Sequence, residues 1–207
     1  MPDLRRDITR ATCSTYDANA DAYGEISEDY GRFPGLRQEV VGFADRAPYG
    51  PPVLDLGCGG GRDTRLLAAL GRRVIAGDYA AGMLTWARSR SAGSSGFLRL
   101  DALSLPLRDR CVAGVWASGS LLHLPLALMG GALAEAYRVL VPGGITVISM
   151  RDGEGEGWRN GGSLEGERWF TFVGPQTFTG YMEAAGFSDI RVRFSGRSGW
   201  YVALGER

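Results

Sequence analysis

Val53-Leu54-Asp55-Leu56-Gly57-Cys58-Gly59-Gly60-Gly61-Arg62-Asp63-Thr64 reads as a buried strand that runs into a glycine turn and then into a helix. Glycines at 57, 59, 60 and 61 permit positive φ and let a ligand approach the backbone closely. A helix that opens at Arg62 or Asp63 aims its unpaired N–H groups at the same spot. A nicotinamide-type dinucleotide site asks for a third glycine three positions after the second, and that position holds Arg62. Asp55, just before the first glycine, disfavours a pyrophosphate and favours a cationic group.

Two more carboxylates follow in phase. Asp78 ends the apolar run Val74-Ile75-Ala76-Gly77, and Asp101 ends Phe97-Leu98-Arg99-Leu100. In a parallel sheet the carboxyl ends of successive strands open onto one crevice, so Asp55, Asp78 and Asp101 can line a single site. An acid after the second strand suits a ribose diol, and one after the third can accept from an exocyclic amine such as that of adenine.

The alternation of elements carries the fold class. Helices are expected over 14–30 and 36–46, then near 62–70, 80–90, 125–140 and 175–185. Strands are expected near 52–56, 73–77, 96–100, 111–117 and 144–150. Such alternation predicts an α/β architecture with a mainly parallel sheet covered on both faces. The last two strands, near 188–195 and 199–205, are joined by Ser195-Gly196-Arg197-Ser198-Gly199, too short for a parallel crossover. They should form a hairpin that puts one antiparallel strand into the sheet.

Composition bounds the function. A chain of 207 residues with 44% hydrophobic residues reads as one domain with a substantial core. No run of about 18 apolar residues occurs and the start is polar, which predicts a cytoplasmic protein with no membrane span. Basic and acidic residues balance at 23 each, so no electrostatic footprint for nucleic acid is present. Cys13, Cys58 and Cys111 are odd in number and show no Cys-x-x-Cys spacing, which argues against a disulfide framework and a zinc site; no metal is expected. Oligomeric state is left open.

The chain resembles the class I S-adenosylmethionine-dependent methyltransferases over about residues 14 to 205. Val53–Thr64 is similar to their glycine motif, 76–84 to the ribose motif, 100–106 to the adenine motif, 114–124 to the fourth-strand motif and 135–144 to the turn before the fifth strand. The resemblance implies a three-layer Rossmann-like fold with a seven-stranded sheet, one strand of it antiparallel. It divides the single domain into a helical cap (1–47), a cofactor-binding core (48–150), a substrate lid (151–171) and a C-terminal helix and hairpin (172–207).

It also implies roles. S-adenosyl-L-methionine would be the cofactor and S-adenosyl-L-homocysteine the spent form. The backbone of Gly57 and Gly59 would pack against it with Cys58 between them, Asp78 would hold the ribose, and Asp101 with the Ala102 N–H would read the adenine. Tyr79, Met83 and Leu103 would flank the base, Asp55 would face the charged amino-acid end, and Ser118 of the fourth-strand motif would be a further cofactor-binding residue. Tyr16 and Tyr23 resemble cap tyrosines that close over the cofactor.

On the acceptor side, His123 is the one histidine and stands just after the fourth strand, where it serves either as a general base or as a packing and hydrogen-bonding group. Residues 151–171 read as a long glycine-rich loop over the sheet's carboxyl edge, a mobile lid in which Trp158, Arg168, Trp169 and Phe170 form substrate walls, with Phe33 of the cap opposite. Arg168 could grip a carboxylate or phosphonate. The reading is methyl transfer to O or N of a small polar metabolite, as in natural-product biosynthesis. An RNA or protein methyltransferase and a catalytically silent cofactor-binding module are the alternatives.

Overall fold

The computed structural model describes residues 2–91, 95–161 and 164–207, with the backbone alone at 2–6 and 161. Its main sheet runs in the order β3-β2-β1-β4-β5-β9-β8. The strands are β1 (Val53–Leu56), β2 (Val74–Asp78), β3 (Ser95–Arg99), β4 (Val112–Ser118), β5 (Leu140–Arg151), β8 (Ser188–Phe194) and β9 (Trp200–Glu206). β1 through β5 pair in parallel, whereas β9 lies antiparallel to both β5 and β8. Each parallel step needs a crossover: α4 (Arg62–Ala69), α5 (Ala81–Ser89) and α6 (Leu126–Val139) supply three, and β3 returns to β4 through the helix-free segment 100–111. α7 (Pro175–Ala184) leads into β8.

Alternation along the strands builds two cores. Leu54 and Val115 face a cluster under α6 and α7 with Leu133, Phe178 and Tyr201. Their neighbours Val53 and Trp116 face the other side, against α3 (Leu36–Arg46) and α4 with Phe43 and Leu67. On α6 the buried residues Met129, Ala132, Leu133, Ala136 and Val139 recur at helical spacing, which explains why this stretch forms a core-facing helix.

The structure corrects several expectations. The helix expected over 14–30 is two, α1 (Pro2–Ala18) and α2 (Ala20–Glu28), parted at Asn19. There the Asn19 side chain donates to the Thr15 carbonyl and to that of Glu165, fixing the break. β5 begins at Leu140, earlier than expected, and Pro142-Gly143-Gly144 forms a bulge as the register passes from Val112↔Leu140 to Gly114↔Ile145.

The largest correction concerns 151–171. It is no glycine-rich loop but a hairpin, β6 (Glu154–Gly161) paired antiparallel with β7 (Leu164–Val173) as a separate two-stranded sheet. Residues 162–163 of the expected lid lie outside those described. Glycines at alternate positions hid the strand pattern; cross-strand pairing of Trp158 with Trp169 and of Gly155 with Phe172 holds the hairpin. It packs on α1, where the Trp169 N–H donates to Thr12 Oγ1 at 3.0 Å and Thr15 Oγ1 donates to the Glu167 carbonyl at 2.7 Å.

Candidate functional site

The sheet order reverses between β1 and β4, and a crevice opens at their carboxyl ends. A hollow with about 840 Å³ of space, part of it open to solvent, starts there. Leu56 and Gly57, Asp78 and Tyr79, Asp101 and Ala102 supply its walls from three successive strand ends. Met83 of α5 and Cys13, Tyr16 and Tyr23 of the cap helices enclose it.

The glycine turn is built for close approach. Gly57, at φ +78°, stands so near Ser120 that a Cβ would come within 2.2 Å of the serine Cβ. Ser120 cannot swing away freely, because its hydroxyl donates to the Leu56 carbonyl at 2.7 Å. The Gly59 N–H donates to Asp78 Oδ2 at 2.8 Å, and the Ala80 N–H donates to Oδ1 at 2.9 Å. Burial pushes the Asp78 carboxyl up, while these N–H groups pull it back. Each oxygen keeps a further lone pair for a hydroxyl of a ligand. Asp101 Oδ1 accepts the Leu103 N–H at 2.9 Å, closing the loop after β3.

A second cavity of about 800 Å³ continues the first. Tyr16, Tyr23, Gly57, Gly59, Ser118 and His123 border both, so the two form one hollow with two ends. Asp55, Cys58, Phe33, Arg62, Arg168 and Arg197 line the second end. Asp55 is 2% exposed and accepts the Thr64 hydroxyl at 2.5 Å. Burial first, and then the charge of Asp63, raises its carboxyl to about 7. Burial also pushes the Cys58 thiol well up, which makes it an inert wall.

His123 sits at the junction with both ring nitrogens engaged. Nδ1 lies 2.6 Å from the Trp169 carbonyl, which can only accept, so the network assigns the proton to Nδ1. Nε2 then accepts from the Tyr16 hydroxyl at 2.8 Å. Burial lowers the imidazole to about 4, so at neutral pH it is an uncharged connector between cap, core and hairpin. The Tyr16 hydroxyl in turn accepts from Arg168 Nη1 at 3.5 Å. This geometry favours the packing and hydrogen-bonding role over the general base.

Most of the sequence-derived residues thus border the hollow, and three do not. Leu103 turns its side chain toward Gly131 of α6 and packs on the main core. Trp158, 37% exposed, and Trp169 stack edge-to-face with ring centroids 5.5 Å apart on the hairpin, and line neither cavity. Phe170, expected at the wall, does line the second cavity, and Trp200, which the sequence did not single out, joins it there. Sequence reasoning also passed over Arg197, because Ser195–Gly199 read only as a turn. Arg62, counted only against a dinucleotide, is packed over the Tyr30 and Phe33 rings and paired with Asp63 at 2.8 Å.

Among the described residues no group of three or more His, Cys, Asp or Glu could hold a metal ion, and no helix is long and apolar enough to cross a membrane. The residues around the first cavity fit an adenosyl cofactor: a glycine turn that admits close approach, a half-buried carboxylate closing β2 and an acid-bearing loop after β3.

Residues 54–148 match the family model described as a methyltransferase domain. The chain is 34% identical over 166 residues to malonyl-(acyl-carrier protein) O-methyltransferase of Yersinia pestis, covering 74% of this chain and 53% of that protein. It is 40% identical over 101 residues to demethylmenaquinone methyltransferase of Clavibacter sepedonicus, covering 48% and 40%. The chain spans about half the length of the curated relatives it matches. Its fold is that of a S-adenosylmethionine-dependent methyltransferase from Mesorhizobium loti, with a TM-score of 0.66 at 17% identity over 82% of this chain and 96% of that one. The methyltransferase CcbJ of Streptomyces caelestis gives 0.69 at 18% over 83% and 89%. Residues 54–148 thus carry a methyltransferase-domain match on a Rossmann-like fold shared with S-adenosylmethionine-dependent methyltransferases.

Proposed function

We propose that this protein transfers a methyl group from S-adenosyl-L-methionine to an oxygen or nitrogen of a small polar metabolite in the cytoplasm. The observation that carries the reading is the cradle at Asp78, whose two oxygens are fixed by the Gly59 and Ala80 N–H groups at the mouth of the first cavity. The cofactor, when bound, supplies a methyl group activated on a sulfonium sulfur.

Asp78 would hold the ribose diol, and Asp101 with the Ala102 N–H would bind the adenine edge. Met83 and Tyr79 would enclose the base. Gly57 and Gly59 let the backbone approach the amino-acid end, and Asp55 and Cys58 lie behind them. Tyr16 and Tyr23 cover the junction of the two cavities and exclude water from it, which strengthens every electrostatic contact inside. The hairpin residues Arg168 and Phe170 with Phe33 would form the acceptor end, and there the chief task is orientation of the nucleophile. Relatives whose printed names are O-methyltransferase and quinone methyltransferase support transfer to a small acceptor group.

A methyl-transfer screen against metabolites grouped as carboxylates, phosphonates, phenols and amines, reading S-adenosyl-L-homocysteine formation, tests the proposal. Turnover of one group supports it. Cofactor binding with no turnover across all groups would favour a silent binding module instead.

A further inference from the structure

The second cavity has an unusual wall. Arg62, Arg168 and Arg197 border it, facing Phe33, Phe170 and Trp200. The Arg62 charge is matched by Asp63 at 2.8 Å. Arg197 is 9% exposed at its side chain; its guanidinium lies 4.7 Å from the Trp200 ring centroid, and Nη2 donates to Glu39 Oε2 at 3.2 Å. Glu39 stands behind it on α3, 4% exposed, and does not line the cavity. The Arg197 Nε is buried without a hydrogen-bond partner among the described residues. A buried N–H donor left unmade is costly, and a ligand oxygen arriving there would satisfy it.

Resting on the methyltransferase reading, we infer that the acceptor is a monoanionic carboxylic acid with an apolar or aromatic body, its carboxylate bound at Arg197 and Arg168 and its body against Phe33, Phe170 and Trp200. The charges of Arg62 and Arg197 are met by Asp63 and Glu39, and Asp55 adds a further acid at this end, which favours one negative charge on the acceptor over two. Aromatic walls also suit an acid with an apolar body better than inorganic phosphate or a sugar phosphate.

The chemistry fits the state of His123. A carboxylate arrives ionised: its oxygen forms the new bond to the methyl carbon, the bond from that carbon to sulfur breaks with its electron pair staying on sulfur, and no proton leaves the acceptor. No base is required, in keeping with an imidazole whose two nitrogens are committed to Tyr16 and Trp169. The product ester has lost the charge that drew the acid to the arginines, which favours its release.

The test measures binding by calorimetry on the full chain saturated with S-adenosyl-L-homocysteine. The probes are phenylacetate, octanoate and monoethyl malonate, beside phenethyl alcohol and phenethylamine. The tightest acid should bind about tenfold or more tighter than the alcohol and the amine, and Arg197→Gln should weaken it about tenfold, as expected for one charge-assisted contact. Arg193→Gln removes a 60% exposed arginine that also faces Glu39 but does not line the cavity, and should leave the acid's affinity unchanged. S-adenosyl-L-homocysteine affinity within about twofold of wild type, a margin well under the tenfold step, shows that each variant is folded. Acids that bind no better than the alcohol and amine, or equal effects of the two substitutions, would overturn the inference. Failure of S-adenosyl-L-homocysteine itself to bind would instead remove the methyltransferase reading.

Discussion

The Tyr16 hydroxyl and His123 Nε2 meet at 2.8 Å across 107 residues of chain. Since Nδ1 of the same ring holds the Trp169 carbonyl, one imidazole ties the cap helix, the turn after β4 and the hairpin together above the cavity. The two covers of the site are therefore one linked structure.

Tyr16→Phe removes the donor and leaves Nε2 buried with its lone pair unmet. Such an orphan is expected to cost about 1–3 kcal/mol. Thermal unfolding should show the loss, and cofactor affinity should fall with it because Tyr16 borders both cavities. An unchanged melting temperature would show that the link carries no load.

The acid limb of stability should report His123. Burial lowers its pKa from 6.5 to about 4. Between those values the unfolded chain binds a proton that the folded chain refuses, so this residue makes stability fall as pH drops from about 6.5 towards 4 and contributes no slope above that window. Denaturant unfolding of wild type and His123→Gln from pH 4 to 8 should show the wild type losing ground to the variant on the acid side. Parallel curves would contradict the assignment.

Asp55 acts with the opposite sign. Its carboxyl is raised from 3.8 to about 7, so the folded state keeps a proton that the unfolded state has already released, and the associated stability is lost as pH rises through that window. Asp55→Asn still offers an oxygen to the Thr64 hydroxyl. It should raise the melting temperature, and by more at pH 8 than at pH 5; an equal effect at both would show that the carboxyl is not shifted.

Gly57→Ala should be the costliest single methyl in the molecule's glycine turn. The left-handed backbone costs about 1–2 kcal/mol for an L-residue, and the 2.2 Å approach to Ser120 adds overpacking of about 1–3 kcal/mol. Gly42→Ala in α3, where a Cβ meets nothing within 4 Å, should instead stabilise slightly. Chemical denaturation of both variants measures the contrast.

The succession of strands and helices along the chain and the acids at 55, 78 and 101 were legible because each apolar run is short and ends near a carboxylate or a glycine turn, a pattern that local sequence states outright. The hairpin over 154–173 was not, since glycine at 155, 157, 161 and 166 breaks the alternation by which a strand is recognised, and its stability comes from α1 and from cross-strand aromatics. Arg197 and Trp200 were hidden for a related reason: they reach the cavity only because β9 lies beside β5, a long-range pairing that a five-residue turn does not announce. The role of His123 likewise depended on Tyr16 and Trp169, neither near it in sequence.

The central claim is that the Asp78 cradle holds the adenosyl cofactor. Titration calorimetry of S-adenosyl-L-homocysteine into wild type and Asp78→Asn tests it most directly. The account predicts one molecule bound per chain, with affinity about 10- to 100-fold weaker in the variant, as for the loss of hydrogen bonds to a charged group. No binding to the wild type, or equal binding to both proteins, would contradict it.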